Sequence, residues 1–220
     1  MREFPLINMS TLFTESLDKK YREVYSKLAD FSKDFVLAGG TAIMLQINHR
    51  KSFDFDCFSE IPLKTDLARK AKQIFGKDIK LEVNNSDLLL FRTSKGIKVD
   101  FVYYPYKPLH KPEKSKPISL FNIHDLASNK AYTVGRRATW RDYVDIFFLL
   151  KWGISDINKM IKDAKERFAG EFSEKLFLEQ LVYYDDLEID DIDFLKEGYS
   201  TQDIQYFLQE EVIKYTKLRI

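Results

Sequence analysis

The chain is short of the residues that cross-link a fold or interrupt it. Cys57 is the single cysteine among 220 residues, so an internal disulfide and any cysteine-rich metal site are excluded. There are only eight glycines and six prolines, while 45% of the residues are hydrophobic. A chain of this length and composition can bury a substantial core without cross-links. Because glycine is scarce, the adjacent pair Gly39-Gly40 needs a physical reason.

An excess of one charge is also missing. Thirty-five Lys and Arg residues balance 34 Asp and Glu residues, so no global field attracts a nucleic acid or a membrane, and a polyanion could bind only at a local patch. No run approaches the ~18 apolar residues of a membrane helix. The first ten residues, MREFPLINMS, lack the basic and apolar regions of a secretory signal. These absences predict a soluble, cytoplasmic protein without membrane contact.

Strand-type patterns are confined to the first half of the chain. Five β-rich runs read DFVLAGG, SFDFDCF, IKLEVN, DLLLFRT and IKVDFVYY. Helical spacing predicts helices between them, at about 14–31, from Gly40-Thr41 onward, and on the face of Leu67, Ala71 and Phe75. This half is therefore predicted to be a mixed sheet of about five strands with flanking helices.

The second half has only helical patterns. The segment PYKPLHKPEKSKP holds four of the six prolines and predicts an extended connection. Helices are predicted beyond it at about 122–135, 140–151, 156–168, 173–184 and 201–217. The predicted fold class is α+β, with an α+β domain at 1–106, a Pro/Lys-rich connection at 107–117 and an all-helical domain at 118–220.

Three aspartates stand on predicted strands. Residues two apart on a strand point to one face, so Asp54 and Asp56 lie ~7 Å apart on the face opposite Phe55. Asp100 is the only acid of the last predicted strand. Carboxylates held side by side repel unless a cation lies between them, and Mg²⁺ accepts carboxylate, water and phosphate oxygens. The pattern predicts a two-metal site at these aspartates. The alternative is that Asp54 and Asp56 only face solvent.

The glycine pair is followed at once by a predicted helix. Gly39 and Gly40 let backbone amides approach an anion closely, and the helix start offers unpaired N–H groups to which Thr41 can add a hydroxyl. The alternative needs no ligand, because a glycine pair can simply end a strand before a threonine that caps a helix.

Four motifs together resemble a known family. They are Gly39-Gly40-Thr41-Ala42; His49-Arg50-x-Ser52-x-Asp54-x-Asp56; Asp100 between hydrophobic residues; and Lys130, Arg136 or Arg137, and Arg141-Asp142-x-x-Asp145 on predicted helices. Their order is similar to the AbiEii-type nucleotidyltransferase toxins of the polymerase-β-like nucleotidyltransferase superfamily. The motifs span roughly 35–150. Two departures are Thr133, where a small apolar residue is expected, and the ambiguity between the two arginines.

The resemblance implies a nucleotidyltransferase-like domain that uses Mg²⁺ or Mn²⁺ to move a nucleoside monophosphate from a nucleoside triphosphate to a hydroxyl. It implies an RNA acceptor such as a tRNA end, and a toxin neutralised by a cognate antitoxin. The implied metal ligands are Asp54, Asp56 and Asp100, and the implied catalytic residues are these three with Lys130 and Asp145. The implied nucleotide-binding residues are Gly39, Gly40, Thr41, Arg50, Ser52, Arg137, Arg141 and Asp142.

Other interpretations stay open at this point. The same aspartates would serve transfer to a small molecule or a protein hydroxyl, and a non-catalytic nucleotide-binding regulatory module could share the fold. Thr139 can cap a helix that has Asp142 in its first turn, with an ion pair between Arg141 and Asp145. The basic run at 107–116 could follow an RNA backbone or be a solvated loop. The acidic run at 185–193 could face solvent or a basic partner.

Overall fold

The computed structural model describes residues 12–137 and 139–218. Its first half is a mixed five-stranded sheet, as predicted. In sheet order β1-β2-β5-β4-β3, only β2 and β5 are parallel, and the other neighbours are antiparallel. The strands are β1 (Val36–Ala38), β2 (Asp54–Ser59), β3 (Lys80–Asn84), β4 (Leu88–Arg92) and β5 (Lys98–Tyr103).

The two faces of the sheet differ because the strand sequences alternate. Phe55 on β2 and Val99 and Phe101 on β5 are buried on one face, where the ring of Tyr25 stacks on Phe55 and Phe31 contacts Phe101. The alternate positions of β2 are only half-buried. The aspartates therefore lie on the face that the aromatic core leaves free.

Eight helices surround and follow the sheet in the described part of the chain. They are α1 (Lys19–Lys27), α2 (Gly39–Ile47), α3 (Leu67–Phe75), α4 (Ile123–Arg137), α5 (Trp140–Lys151), α6 (Ile157–Phe168), α7 (Glu174–Leu181) and α8 (Thr201–Lys217). The single helix predicted at 14–31 is wrong in its extent. Asp18 is extended, so α1 begins only at Lys19, and 3-10 turns flank it at Thr14–Ser16 and Leu28–Phe31. The helical second half is confirmed.

Both halves share one hydrophobic core, which runs from Leu17 to Tyr215. The proline-rich connection holds no helix or strand, and beyond it the chain returns to β1, where the N–H of Leu37 donates to the carbonyl of Ser119 at 2.9 Å. The division at 107–117 stays a prediction. No helix among the described residues is long and apolar enough to cross a bilayer.

A segment between α7 and α8, here called the C-terminal strap (182–199), returns to the first half. The N–H of Lys51 donates to the carbonyl of Asp193 at 2.8 Å, and the N–H of Leu195 donates to the carbonyl of His49 at 3.0 Å. Arg50 and Phe194 form an isolated antiparallel bridge. The strap thus holds the loop that precedes β2.

Candidate active site

Two of the three predicted aspartates are direct neighbours in the sheet. Asp56 on β2 and Asp100 on β5 are register partners, so their strands lie ~4.8 Å apart at this point. Asp54 is two residues along and pairs in register with Lys98. The Nζ of Lys98 lies 2.7 Å from Oδ2 of Asp100. Three carboxylates and one ammonium therefore share the free face of the two parallel strands.

The glycine turn meets these carboxylates. Gly39 begins α2 with a φ of 65°, and a β-carbon at this position would lie 1.9 Å from Oδ2 of Asp56. Both the backbone angle and the contact demand glycine here. The start of α2, with its unpaired N–H groups, therefore lies directly against the Asp56 carboxylate. The strand motif and the turn motif form one site.

These carboxylates are poorly satisfied by the protein itself. No described residue donates a hydrogen bond to the carboxylate of Asp54 or Asp56, and the buried Oδ1 of Asp100 has no partner. Burial, and then the nearby charge of Asp100, raise the pKa of Asp56 to about 6. Burial also raises the pKa of Asp100, although Lys98 opposes it. The cluster has more negative charge than one lysine balances.

This donor set has the chemistry that a hard divalent cation requires, since Mg²⁺ is bound through one or two carboxylates with water and phosphate oxygens. Within residues 12–137 and 139–218, however, no three Asp, Glu, His or Cys side chains converge closely enough to hold an ion by themselves. The residues fit an ion that completes its shell with water and substrate. The three-ligand metal site stays a prediction.

A second cluster is built around Asp145, which is fully buried on α5. Its Oδ1 accepts from His49 Nε2 and from Arg50 Nε, both at 2.7 Å. Its Oδ2 accepts from Arg50 Nη2 at 2.9 Å and lies 2.7 Å from Lys130 Nζ. Burial alone would raise the pKa of Asp145, but the charges of Arg50 and Lys130 hold it well below its usual range. Asp145 is an ionised hub that positions two cations.

Asp142 completes this cluster one turn earlier on α5. Its Oδ1 accepts from Lys130 Nζ at 2.7 Å, and its Oδ2 accepts from the backbone N–H and the hydroxyl of Thr139, both at 2.9 Å. The predicted capping arrangement is therefore present. The alternative ion pair between Arg141 and Asp145 is wrong, because Asp145 points inward, while Arg141 lies 3.2 Å from Asp190 in the strap.

Gly40 joins the two clusters. A β-carbon on Gly40 would lie 3.0 Å from both Arg50 Nη2 and Ser52 Oγ, so the absence of a side chain lets these groups approach the start of α2. Gly39 thus lies against Asp56 of the sheet, and Gly40 lies against Arg50, which Asp145 holds. The helix start lies between negative and positive clusters.

A family model for the nucleotidyl transferase AbiEii toxin, of type IV toxin-antitoxin systems, matches residues 24–212. The chain belongs to this family. A curated relative, an uncharacterized protein of Aquifex aeolicus (strain VF5), is 31% identical over 178 residues, which cover 77% of this chain and 84% of that protein.

Two solved structures share the fold of this AbiEii family member. MenT4, a nucleotidyltransferase toxin of Mycobacterium tuberculosis H37Rv, aligns with a TM-score of 0.59 at 14% identity over 90% of this chain and 82% of its own. A candidate nucleotidyltransferase of H. pylori aligns with a TM-score of 0.52 at 18% identity over 92% of this chain and 99% of its own. The resemblance to the AbiEii family and the predicted fold class are confirmed.

The AbiEii motif residues do not all lie at an open face. Thr41 is buried, and its hydroxyl donates to the carbonyl of Asp54 and lies 2.9 Å from the Ser52 hydroxyl. A contact between Thr41 and phosphate would have to replace that bond. Asp145 is buried, and its protein partners occupy both of its carboxylate oxygens. Its predicted catalytic role stays a prediction. The side chain of Arg137 lies outside the described part of the chain.

In this AbiEii protein, Lys98 was missed by sequence reasoning, and the partner of His49 was not predicted. Lys98 stands two residues before Asp100, and strand periodicity alone puts both on one face. His49 stands in the second motif without a predicted partner, and the structure places its Nε2 at 2.7 Å from Asp145 Oδ1. Burial lowers the pKa of His49 despite that contact, so the neutral ring donates from Nε2.

Proposed function

We propose that this protein is a divalent-metal-dependent nucleotidyltransferase, which moves a nucleoside monophosphate from a nucleoside triphosphate to a hydroxyl. The observation that carries the proposal is the meeting of Gly39 and Asp56 at the start of α2, with Asp100 alongside in register. The helix start that would bind a triphosphate and the carboxylates that would bind a metal therefore lie next to each other. The AbiEii family and the fold support this transferase chemistry.

Asp56 and Asp100, with Asp54 beside them, would hold Mg²⁺ or Mn²⁺. When bound, the metal would supply positive charge that stabilises the negative charge of the carboxylates and of the triphosphate. Burial, and then the charge of Asp100, raise the pKa of Asp56, so this carboxylate would gain from a bound cation. Lys98 supplies one permanent positive charge at the same face and keeps the cluster from being wholly anionic between turnovers.

The phosphates would lie against the N–H groups at the start of α2, where the helix carries a partial positive charge. Arg50 and Lys130 add charge from the second cluster, and Asp145 fixes both of them. Because these groups are held before substrate arrives, they need no reorganisation as charge develops on the transferred phosphate.

In the transfer itself, the acceptor hydroxyl attacks the α-phosphorus in line. A bond forms between the acceptor oxygen and the α-phosphorus, the bond from the α-phosphorus to its bridging oxygen breaks, and pyrophosphate leaves. Asp100 takes the hydroxyl proton, since its Oδ1 has no protein partner. Most of the rate gain comes from positioning and charge stabilisation.

We further propose an RNA end as the acceptor, a tRNA among the candidates, and a role as the toxin of a toxin-antitoxin pair whose antitoxin opposes it. The family supports the toxin role, and the acceptor is a proposal of chemistry and resemblance. Transfer to a small molecule or to a protein hydroxyl is the alternative within enzymes. A regulatory module that binds nucleotide without turnover is the alternative outside them.

The decisive test incubates the protein with Mg²⁺, each of the four α-labelled ribonucleoside triphosphates and total tRNA. An Asp54→Ala/Asp56→Ala variant is run beside it. A Glu60→Ala/Asp66→Ala variant, which removes two exposed acids near the same strand, is the matched control. Label on RNA with the wild type and the control only would support the proposal and identify the nucleotide.

Other outcomes point elsewhere. Label on the protein itself would favour the protein-modifying alternative, and label on a small acceptor in a cell extract would favour a small-molecule transferase. Triphosphate binding without any transfer, equal in the wild type and in the aspartate variant, would contradict the enzymatic proposal.

A further inference from the structure

A surface pocket of about 210 Å³ lies between the C-terminal part of α4 and the start of α7. Tyr132, Gly135 and Arg136 line it from α4, and Glu171 lines it from the turn before α7. Lys130 and Tyr132 are two residues apart on a helix of 3.6 residues per turn, so they face opposite sides of α4. The pocket is thus separate from the candidate active site.

One wall of the pocket is a stack of flat groups. The ring of Phe168 stacks on the ring of Tyr132, with centroids 4.1 Å apart and planes 12° apart. The guanidinium of Arg136 lies 4.3 Å from the same Tyr132 centroid, and it must be on the other face because Phe168 fills the first. Arg136 is 49% exposed. The stack therefore ends at the surface in a flat cation on which a further ring can stack.

A hydrogen-bond acceptor stands beside this stack. The acceptor is the carboxylate of Glu171. Its Oε2 accepts from the hydroxyls of Tyr106 and Tyr132, both at 2.8 Å, and from Arg136 at 3.1 Å. No described residue bonds its Oε1. Hydrogen bonds from the two tyrosines also lower the pKa of Glu171. The bonds to Oε2 fix the position of the ionised carboxylate, and its Oε1 remains open to a hydrogen-bond donor.

Gly135 is the third observation. Glycine within a helix costs about 1 kcal/mol relative to alanine. A β-carbon at Gly135 would meet only ordinary contacts, with Phe177 N at 3.8 Å and Leu176 Cγ at 4.0 Å. Packing therefore does not demand glycine here. What the missing side chain leaves is room in the pocket.

We propose that this pocket binds an unpaired nucleobase with an exocyclic amino group, in an RNA strand whose end reaches the active site. The base would stack on Arg136 and donate from its amino group to Glu171. Arg136 is six positions after Lys130, a rise of about 9 Å along α4, and the pocket lies on the opposite side of this helix from Lys130. The strand would therefore pass around α4, over a few nucleotides, between the bound base and the reacting hydroxyl. This inference rests on the proposed RNA acceptor.

The test measures binding without chemistry. Fluorescein-labelled tetranucleotides of A, C or U are titrated with the full chain by fluorescence anisotropy, in EDTA and without triphosphate. We expect the A and C strands to bind at least fivefold more tightly than the U strand. Arg136→Lys keeps the charge but loses the flat guanidinium, and should weaken binding of the A strand at least fivefold, the scale of one lost base stack.

The controls separate stacking from charge and from folding. Arg92→Lys changes a similarly exposed arginine that is paired with Glu82, and should leave binding unchanged. Glu171→Gln should narrow the preference for A over U. Gly135→Ala should raise the melting temperature or leave it unchanged while it weakens binding, a combination that misfolding does not produce.

Several results would overturn the proposal. They are full binding by Arg136→Lys, equal binding of the A and U strands, and an affinity for AMP equal to that for the A strand, which would make the pocket a free-nucleotide site. If the protein transfers label to RNA and Arg136→Lys does not change that transfer, the proposed base-binding pocket is refuted and the proposed function is retained. If the strands bind with the expected base preference but no label is transferred, the pocket is retained and the proposed transferase function is refuted.

Discussion

Asp56→Asn should stabilise the metal-free protein while it abolishes transfer. In the folded protein, burial and Asp100 raise the pKa of Asp56 to about 6, and no described residue donates a hydrogen bond to its carboxylate. The ionised carboxylate is therefore unfavourable at neutral pH unless a cation is bound. Asparagine removes the charge and keeps the size. Stability is gained where function is lost, as at other strained sites.

The magnitude follows from linkage. The difference between an ordinary pKa of 3.8 and one of about 6 corresponds to about 3 kcal/mol. Because Asp56 is half-buried and water screens part of the effect, we expect about 2 kcal/mol. An acid with a raised folded pKa binds more protons when folded, so the wild type loses stability as pH rises from ~4 to ~6. The advantage of the variant should be largest above that window.

The assay is urea unfolding of both proteins in EDTA, at about pH 7.5 and about pH 4.5. We expect the variant to lead by about 2 kcal/mol at the higher pH and by less than about 1 kcal/mol at the lower. Saturating Mg²⁺ should stabilise the wild type and not the variant. Glu60→Gln, an exposed charge loss next to β2, is the control. A variant no more stable than the wild type at about pH 7.5 would refute the reasoning.

Two further predictions concern the same site. Gly39→Ala should abolish transfer, because the new β-carbon would lie 1.9 Å from Asp56 Oδ2. Gly96 also has a positive φ but has nothing within 4 Å of a β-carbon, so Gly96→Ala should lose only about 1–3 kcal/mol of stability and keep activity. Equal effects of the two substitutions in melting and label-transfer assays would count against the Gly39–Asp56 contact. Asp145→Asn should lower the free energy of unfolding in urea by about 3–5 kcal/mol, because it leaves buried cations unpaired. Asp190→Asn, which removes an exposed ion pair with Arg141, should lower it by less than about 1 kcal/mol. Similar losses of stability in the two variants would contradict the role of Asp145 as the centre of the buried cluster.

The elements could be predicted from local pattern. In DFDCF the alternation is strict, and the structure has the expected strand with Phe55 and Cys57 buried. The helices of the second half begin at side chains that cap them, such as Ser200, which bonds Asp203 N–H. Capping and periodicity act over a few residues, so they can be read from sequence.

The partners of the acids could not be predicted in the same way. Asp142 and Asp145 lie three residues apart on one helix. Asp145 is fully buried among three donors, whereas Asp142 accepts hydrogen bonds from the N-cap residue of the helix. Which acid turns inward depends on how α5 packs on a loop about a hundred residues earlier. Lys98 is a mixed case. Strand periodicity puts it on the face of Asp100, whereas only the parallel pairing of β2 with β5 brings it to Asp54.

The Asp145 hub and the C-terminal strap also set an order of events during synthesis. Arg50 lies 95 residues before the carboxylate that holds it, and Lys51 is held by Asp193. At roughly 5–20 residues per second, a ribosome makes the glycine turn, Asp54 and Asp56 about 5 to 20 seconds before it makes Asp145, and Asp100 about 2 to 9 seconds before it. A nascent chain would have its carboxylates without the clamped cations. The charge cluster around Asp145 is therefore completed only after the sheet face that carries the aspartates.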